Sequence, residues 1–187
     1  SNIGLGFDES DNKLGMMKAY MARTKTAEGK PRKSYKSINY SKCVLKDIHG
    51  VKIKPTDEVR IYSKTNKLVT KDVDGNILLE LNESAGSKWK IKEDSSGNYV
   101  IYDDSDKNVL YVSDKYEEQF VWGNAEMVPD NDKPYFHKIL SLNAKHALLI
   151  DENHYLSVNS KGVFSKSKFE NISEIEYDFM IEIIPDE

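Results

Sequence analysis

The chain has 187 residues, of which 39% are hydrophobic and 31% are charged, and its formal net charge is −4. This length is enough to bury the core of one ordinary domain, and the sequence predicts no membrane span because it contains no run of 18 apolar residues. A single cysteine, Cys43, excludes an internal disulfide framework and favours a reducing, cytoplasmic location. A secreted origin stays open, because the chain begins Ser1-Asn2 without Met and a removed signal would leave no trace.

Residues 1–42 are predicted to form a basic, partly flexible extension. Residues 1–56 contain 12 Lys or Arg against 5 Asp or Glu, whereas residues 57–187 contain 15 against 26. Asp11 is suited to cap one short helix over residues 13–23, whose apolar residues Leu14, Met17 and Met21 share a face. Downstream cations lie among Thr, Gly, Pro and Ser without apolar periodicity. They are Lys25, Lys30, Arg32, Lys33 and Lys36.

This separation of charge indicates two roles for the extension. Its cations are predicted to bind a polyanion or the acidic face of the same chain, and a solvated tether is the alternative.

Residues 43–53 alternate apolar side chains around the turn His49-Gly50, which predicts strands that join the body. We therefore expect a domain over residues 43–187.

A pattern recurs three times within that domain, over units of about 57–97, 98–144 and 145–187. The units begin with the apolar runs 59–62, 99–102 and 147–150. Leu68, Leu110 and Leu156 follow at separations of 42 and 46 residues, and an aromatic position follows each at separations of 47 and 43. The aromatic residues are Trp89, Phe136 and Phe179. A fixed period of this size indicates one supersecondary unit used repeatedly.

Each unit has the pattern of four short strands. Runs of β-branched and aromatic residues are separated by Asp-Gly, Ser-Gly and Lys-Gly, which predicts hairpins. About twelve strands in threefold order resemble the all-β β-trefoil, in which six strands close a barrel and three hairpins cap it. The resemblance implies that the repeated leucine and aromatic positions form the barrel core, because one unit alone has too little apolar surface to bury.

The third unit carries a closer resemblance. Residues 154–165, His-Tyr-Leu-Ser-Val-Asn-Ser-Lys-Gly-Val-Phe-Ser, are similar to the G-x-Y-L-x-(V/M)-x-x-x-G-x-(V/L)-x-(A/S) unit of fascin-like and fibroblast-growth-factor-like trefoils. His154 stands where those families commonly have Gly or a small polar residue. The fascin branch implies actin or another cytoskeletal filament as the partner, although neither family's contact residues can be placed on this chain.

Two further classes of binding stay open. Ricin-type lectin units usually end in Gln-x-Trp, which this sequence lacks, but Trp122 or the tyrosines could stack on a sugar. A protease inhibitor would use one protruding loop, for which residues 124–134 are the candidate. Contact residues are predicted there at Met127, Asp130 and Asp132.

The sequence predicts no catalytic, metal or cofactor site. His49, His137, His146 and His154 occur in no motif that supplies a nucleophile or an orienting acid, and we expect them at the surface. A calcium loop starting at Asp72 would need Gly at its sixth position, where Ile77 stands. The sequence contains no glycine-rich phosphate loop between a strand and a helix, so it gives no support for nucleotide binding. The sequence therefore predicts a non-enzymatic binding module that contacts a protein partner through its loops and basic extension.

Overall fold

The computed structural model describes residues 44–113 and 119–186, without the side chains of Gln119, Phe120 and Trp122. Twelve strands lie in this part of the chain, four within each predicted unit. Unit 1 holds β1 (Val59–Ser63), β2 (Leu68–Lys71), β3 (Ile77–Glu80) and β4 (Lys90–Glu93). Unit 2 holds β5 (Tyr99–Tyr102), β6 (Asn108–Ser113), β7 (Gln119–Asn124) and β8 (Lys138–Leu142). Unit 3 holds β9 (Lys145–Leu149), β10 (His154–Val158), β11 (Phe164–Lys168) and β12 (Phe179–Ile183).

Six of these strands close a ring. Antiparallel ladders join β1 to β12, β4 to β5, and β8 to β9. The remaining joins are the pairs Val59↔Trp89, Tyr99↔Phe136 and His146↔Phe179, one in each unit. The other six strands form the hairpins β2–β3, β6–β7 and β10–β11, each attached to the first strand of its own unit. This arrangement is the β-trefoil, as the repeat predicts.

Repeated apolar positions fill the barrel. Trp89, Phe136 and Phe179 are at most 1% exposed, which confirms the predicted aromatic core. The indole Nε1 of Trp89 donates to the carbonyl oxygen of Val69 at 3.0 Å and so ties the barrel to its cap. Truncating one such buried aromatic side chain costs about 3–5 kcal/mol, so these three positions contribute largely to stability.

The predicted leucine layer is wrong by one residue in unit 1. Leu68 pairs with Tyr62 as Val109 pairs with Tyr102, so the counterpart of Leu110 is Val69. Val69 belongs to the central core cluster together with Leu110 and Leu156. The error arises because Leu68 is buried as well, at 3% exposure, and two adjacent buried residues hide the alternation that sets strand register.

The first strand of unit 3 is also shifted by one residue. His146, not Ala147, pairs with Phe179 as Val59 pairs with Trp89. Ala147 is buried in a second cluster outside the barrel, together with Leu149 and Tyr155. Because β9 is therefore covered on both faces, its sequence shows a continuous apolar run instead of an alternating one.

Residues 44–53 form a hairpin that we call the N-terminal hairpin. It is closed by the Lys46↔Lys52 bridge, and the Ile48 amide donates to the carbonyl oxygen of Ile181 in β12 at 2.9 Å. Ile53 is buried in the central core, and Leu45 packs against it. The predicted strands at 43–53 thus join the body where the structure describes them. Among the described residues, no helix is long and apolar enough to cross a membrane.

Candidate functional site

A groove of about 640 Å³ opens on unit 1. One wall is the end of β2 and the turn that follows it, and the other is the segment 80–86 that leads from β3 towards β4. Asp104, from the β5–β6 turn of unit 2, completes the lining. Small-ligand sites in proteins are typically concavities of roughly 300–1,000 Å³, so this groove has the size of a ligand site.

The first wall is held by its own turn. Asp72 Oδ1 accepts hydrogen bonds from the amides of Asp74 at 2.9 Å and Asn76 at 2.8 Å, and Gly75 takes the left-handed φ of +86° that the turn requires. The hydrogen bond from the Asn76 amide is the largest cause that lowers the pKa of Asp72. This carboxylate therefore serves as a fixed, ionised cap on the β2–β3 turn.

The second wall packs tightly on the first. A short 3-10 helix, Ala85–Ser87, places Gly86 against the backbone of Lys71. A Cβ atom at residue 86 would collide with the carbonyl oxygen of Lys71. The Ser87 hydroxyl donates to the carbonyl oxygen of Ser84 at 2.6 Å and accepts from the Ser84 amide at 3.0 Å. Only glycine allows this approach, and it fixes the width of the groove.

A buried ion pair joins the groove to unit 2. Lys71 Nζ lies 2.8 Å from Asp103 Oδ2 and 3.4 Å from Asp104 Oδ1. Asp103 also accepts hydrogen bonds from the hydroxyl of Ser105 and the amide group of Asn108. Burial by itself raises the pKa of Asp103, but the hydrogen bonds from Lys71, Ser105 and Asn108 outweigh it and lower the pKa to about 2. The Lys71 ammonium group is therefore paired with the carboxylates of Asp103 and Asp104.

A second set of charges supports the rim. Arg60 Nη2 donates to Glu83 Oε2 at 2.9 Å, and Arg60 Nη1 donates to Glu182 Oε1 at 3.3 Å. The hydrogen bond to Glu83 is the largest cause that raises the pKa of Arg60. His49 Nε2 lies 3.2 Å from Glu182 Oε2. These contacts form a chain of charges from the N-terminal hairpin to the groove.

The groove has hydrogen-bonding capacity left over. Its charged lining residues are Lys71 and four carboxylates, those of Asp72, Glu80, Glu83 and Asp104. Glu80 and Asn82 are exposed and have no hydrogen-bond or ionic partner among the residues that the structure describes. Val73, which also lines the groove, is exposed. The groove thus offers acceptors and an amide beside one exposed apolar side chain.

The groove lining includes none of the sequence-predicted contact residues that the structure describes. The five extension cations, Lys25, Lys30, Arg32, Lys33 and Lys36, lie outside the described residues. In the 124–134 loop, Met127 is 80% exposed on the short 3-10 helix Ala125–Met127, and Asp130 is exposed. Asp132 is 8% exposed and accepts a hydrogen bond from the Ser113 hydroxyl at 2.7 Å, so its carboxylate anchors the loop.

The prediction that all four histidines lie at the surface is wrong for His146. Its side chain is fully buried, and its Nε2 lies 2.8 Å from the carbonyl oxygen of Lys46. Burial lowers its pKa to about 4. His154 Nδ1 lies 2.8 Å from Asp151 Oδ1. The strand pairing makes His146 the counterpart of Val59 and Tyr99 in the other units, whereas the sequence repeat aligned Ala147 with them.

Comparisons with known proteins show the fold. No protein-family model matches the chain, and no curated protein matches it. A GlcNAcα1-4Gal releasing endo-β-galactosidase from Clostridium perfringens superposes with a TM-score of 0.54 at 13% identity, covering 71% of this chain and 33% of that one. ThreeFoil, a designed 3-fold symmetric protein, superposes with a TM-score of 0.51 at 10% identity, covering 66% and 96%. This chain therefore spans about a third of the galactosidase's length.

Proposed function

We propose that this protein is a non-catalytic binding module whose unit 1 groove binds a carbohydrate. The observation that carries the proposal is the groove itself, in which carboxylates, an amide and hydroxyl groups converge on a ligand-sized space. Sugar hydroxyls are both donors and acceptors, so they match carboxylate acceptors such as Glu80 and an amide such as Asn82. Val73, which is fully exposed in the groove lining, supplies apolar contact.

One of the two structural neighbours supports the same class. The galactosidase acts on a glycan, as its name states, and the part that resembles this chain is about a third of it. A fold can host many unrelated functions, so the likeness adds to the groove geometry and does not replace it. The Trp122 ring, the sugar-stacking candidate of the sequence, belongs to the side chains that the structure leaves undescribed.

Glu80→Gln tests this proposal. The substitution keeps the shape of the side chain but removes the charge of a groove carboxylate that has no partner among the described residues. We expect wild type to bind members of a glycan array, and Glu80→Gln to bind the same glycans about 10-fold more weakly, because a hydrogen bond to a charged group contributes about 1.5–3 kcal/mol.

Glu176→Gln is the matched control, since Glu176 is exposed on unit 3 and does not line the groove. It should bind like wild type. An array without hits would refute the carbohydrate proposal, and equal losses in both variants would place the glycan site outside the groove.

A protein partner is the second candidate. The exposed apolar side chains Val73 and Leu81, both on unit 1, favour it, because a protein partner could remove their apolar surface from water. Actin as the partner, the contact of residues 1–42 with a polyanion, and inhibition of a protease by the 124–134 loop all stay predictions, as does the fascin-like or fibroblast-growth-factor-like branch of the fold.

A further inference from the structure

The N-terminal hairpin is attached to the barrel by few groups. Its Ile48 amide donates to Ile181, and the carboxylate of Asp47 accepts hydrogen bonds from His49, Val51 and Ile183, the last at 3.2 Å. Two further polar contacts join the hairpin to the barrel: the Lys46 carbonyl oxygen lies 2.8 Å from Nε2 of His146 in β9, and His49 Nε2 lies 3.2 Å from Glu182 Oε2. The Ile53 side chain adds apolar contact, since it is buried in the central core. The chain's first 43 residues connect to the barrel through this hairpin.

The bonding of His146 fixes its protonation. A carbonyl oxygen can only accept, so His146 Nε2 carries the proton that binds Lys46, and Nδ1 is then the unprotonated nitrogen of a neutral ring. Nδ1 is fully buried and has no hydrogen-bond partner. A proton added to Nδ1 would therefore create a charged ring with an unsatisfied donor inside the protein, which is costly.

The surroundings of the ring offer little compensation. On the hairpin, the Asp47 carboxylate favours the charged ring, but burial is the larger effect, and the pKa of His146 falls to about 4. The strands paired with this residue present Phe179 from β12 and Ser141 from β8, which carry no charge. At the hairpin tip, a protonated His49 would strengthen its pair with Glu182 and so oppose release.

We propose that the N-terminal hairpin is an acid-releasable clasp, which neutral His146 holds closed and which opens when the ring takes up one proton from solvent. Opening breaks the bond to Lys46 and exposes Nδ1 to water, where the imidazolium is fully solvated. The barrel stays closed, because its strand ladders do not include the hairpin. The device does not depend on which ligand the groove binds.

The pH window follows from the two pKa values. The ordinary histidine pKa of about 6.5 applies to the open clasp, and about 4 applies to the closed one. Above pH 6.5 both states are neutral and the clasp keeps its full stability. Between pH 6.5 and 4 the open state binds more protons, so the opening constant rises by up to about tenfold per pH unit and is about 100-fold larger at pH 4 than at pH 7.

Hydrogen exchange measured from pH 7 to pH 4 tests the clasp. The reporters are the amides of Asp47 and Ile53, which bond within the hairpin, and the amides of β4 and β5 report on the barrel. After correction for intrinsic exchange rates, we expect hairpin protection in wild type to fall by about 100-fold while barrel protection holds. His146→Gln should lose this pH dependence, because its amide group can still donate to Lys46 but cannot take up a proton.

His154→Gln is the matched control and should behave like wild type. The proposal is overturned if the wild-type hairpin stays protected at pH 4, or if His146→Gln shows the same loss, which would assign it to Asp47. If His146→Gln does not fold, ¹⁵N NMR of the His146 ring in the wild-type protein, recorded as a function of pH, tests the proposal instead. Protonation of Nδ1 at the same pH as hairpin opening supports the clasp, whereas titration with the hairpin closed refutes it.

Discussion

Lys71 joins two units through one ammonium group. Its partner Asp103 is 1% exposed, so removing the cation would leave a buried carboxylate without a counter-ion. Breaking a buried pair in this way costs about 3–5 kcal/mol, whereas exposed pairs contribute about 1 kcal/mol or less. The difference lies in burial and not in the type of residue.

We therefore expect Lys71→Met to lower the free energy of unfolding by about 3 kcal/mol, measured by urea denaturation. Lys90→Met is the control, since Lys90 lies 3.6 Å from the half-exposed Asp106, and it should cost less than about 1 kcal/mol. Equal losses in the two variants would contradict the importance of the buried pair.

The same pair predicts an acid dependence. Because the folded pKa of Asp103 is about 2 and its ordinary value is 3.8, its stabilisation is complete above pH 3.8 and is lost as the pH falls towards 2. With Lys71 removed, the folded pKa rises and less of this loss remains.

At the scale of the element, a repeated turn stands out. Four turns begin with an Asp or Asn and have a left-handed Gly three residues later. In each, the side-chain oxygen of the first residue accepts hydrogen bonds from the backbone amides two and four residues later. They start at Asp47, Asp72, Asp94 and Asn159. The sequence shows these turns directly, because each interaction lies within five residues.

Asp94→Ala isolates this effect, since residues 94–98 do not line the groove. Asp94 Oδ1 accepts from the amides of Ser96 and Asn98 at 2.8 and 3.0 Å. We expect its removal to cost about 1 kcal/mol in thermal unfolding, by analogy with a helix cap. Ser95→Ala, in the same turn and exposed, should change stability by less than about 0.5 kcal/mol. A loss as large in Ser95→Ala would contradict the cap.

Strand register was less predictable than strand position. Alternation identifies the buried face only where the other face is polar. Leu68 and Val69 are both buried, as are His146 and Ala147, so the sequence contains no local signal that separates them. The pairing partners across the sheet settle the register, because Tyr62 pairs with Leu68 and Phe179 pairs with His146.

On the scale of the whole molecule, β12 closes the ring. It pairs with five residues of β1 and contacts β9 at His146, and it contributes the fully buried Phe179 and Ile181 to the core. Each unit supplies two strands to the barrel, and the other six described strands form the hairpins, so no described strand is left to replace β12.

Deleting residues 179–187 should therefore abolish cooperative folding, as measured by thermal denaturation with circular dichroism. Deleting only residues 185–187 is the control, because Pro185 and Asp186 are exposed and follow β12. A cooperative transition in the longer deletion would show that the barrel tolerates an open edge.

The sequence predicts this overall architecture well and the groove poorly. A threefold period is visible along the chain, but the groove needs Lys71, Gly86 and Asp104, which closure of the barrel brings together. Asp103 and Asp104 look like an ordinary acidic turn until Lys71 is found beside them. Only the contact between units distinguishes these carboxylates from solvated ones.

Pairing of the first and last barrel strands also determines how the domain connects to other chain segments. The Ile184 amide donates to the Glu58 carbonyl oxygen at 2.8 Å, so the chain enters and leaves the barrel side by side. A body with adjacent ends can be inserted into a surface loop of another protein without separating the two halves of that loop. The same geometry allows the two ends to be linked and the chain to be reopened elsewhere, which makes this domain suited to circular permutation.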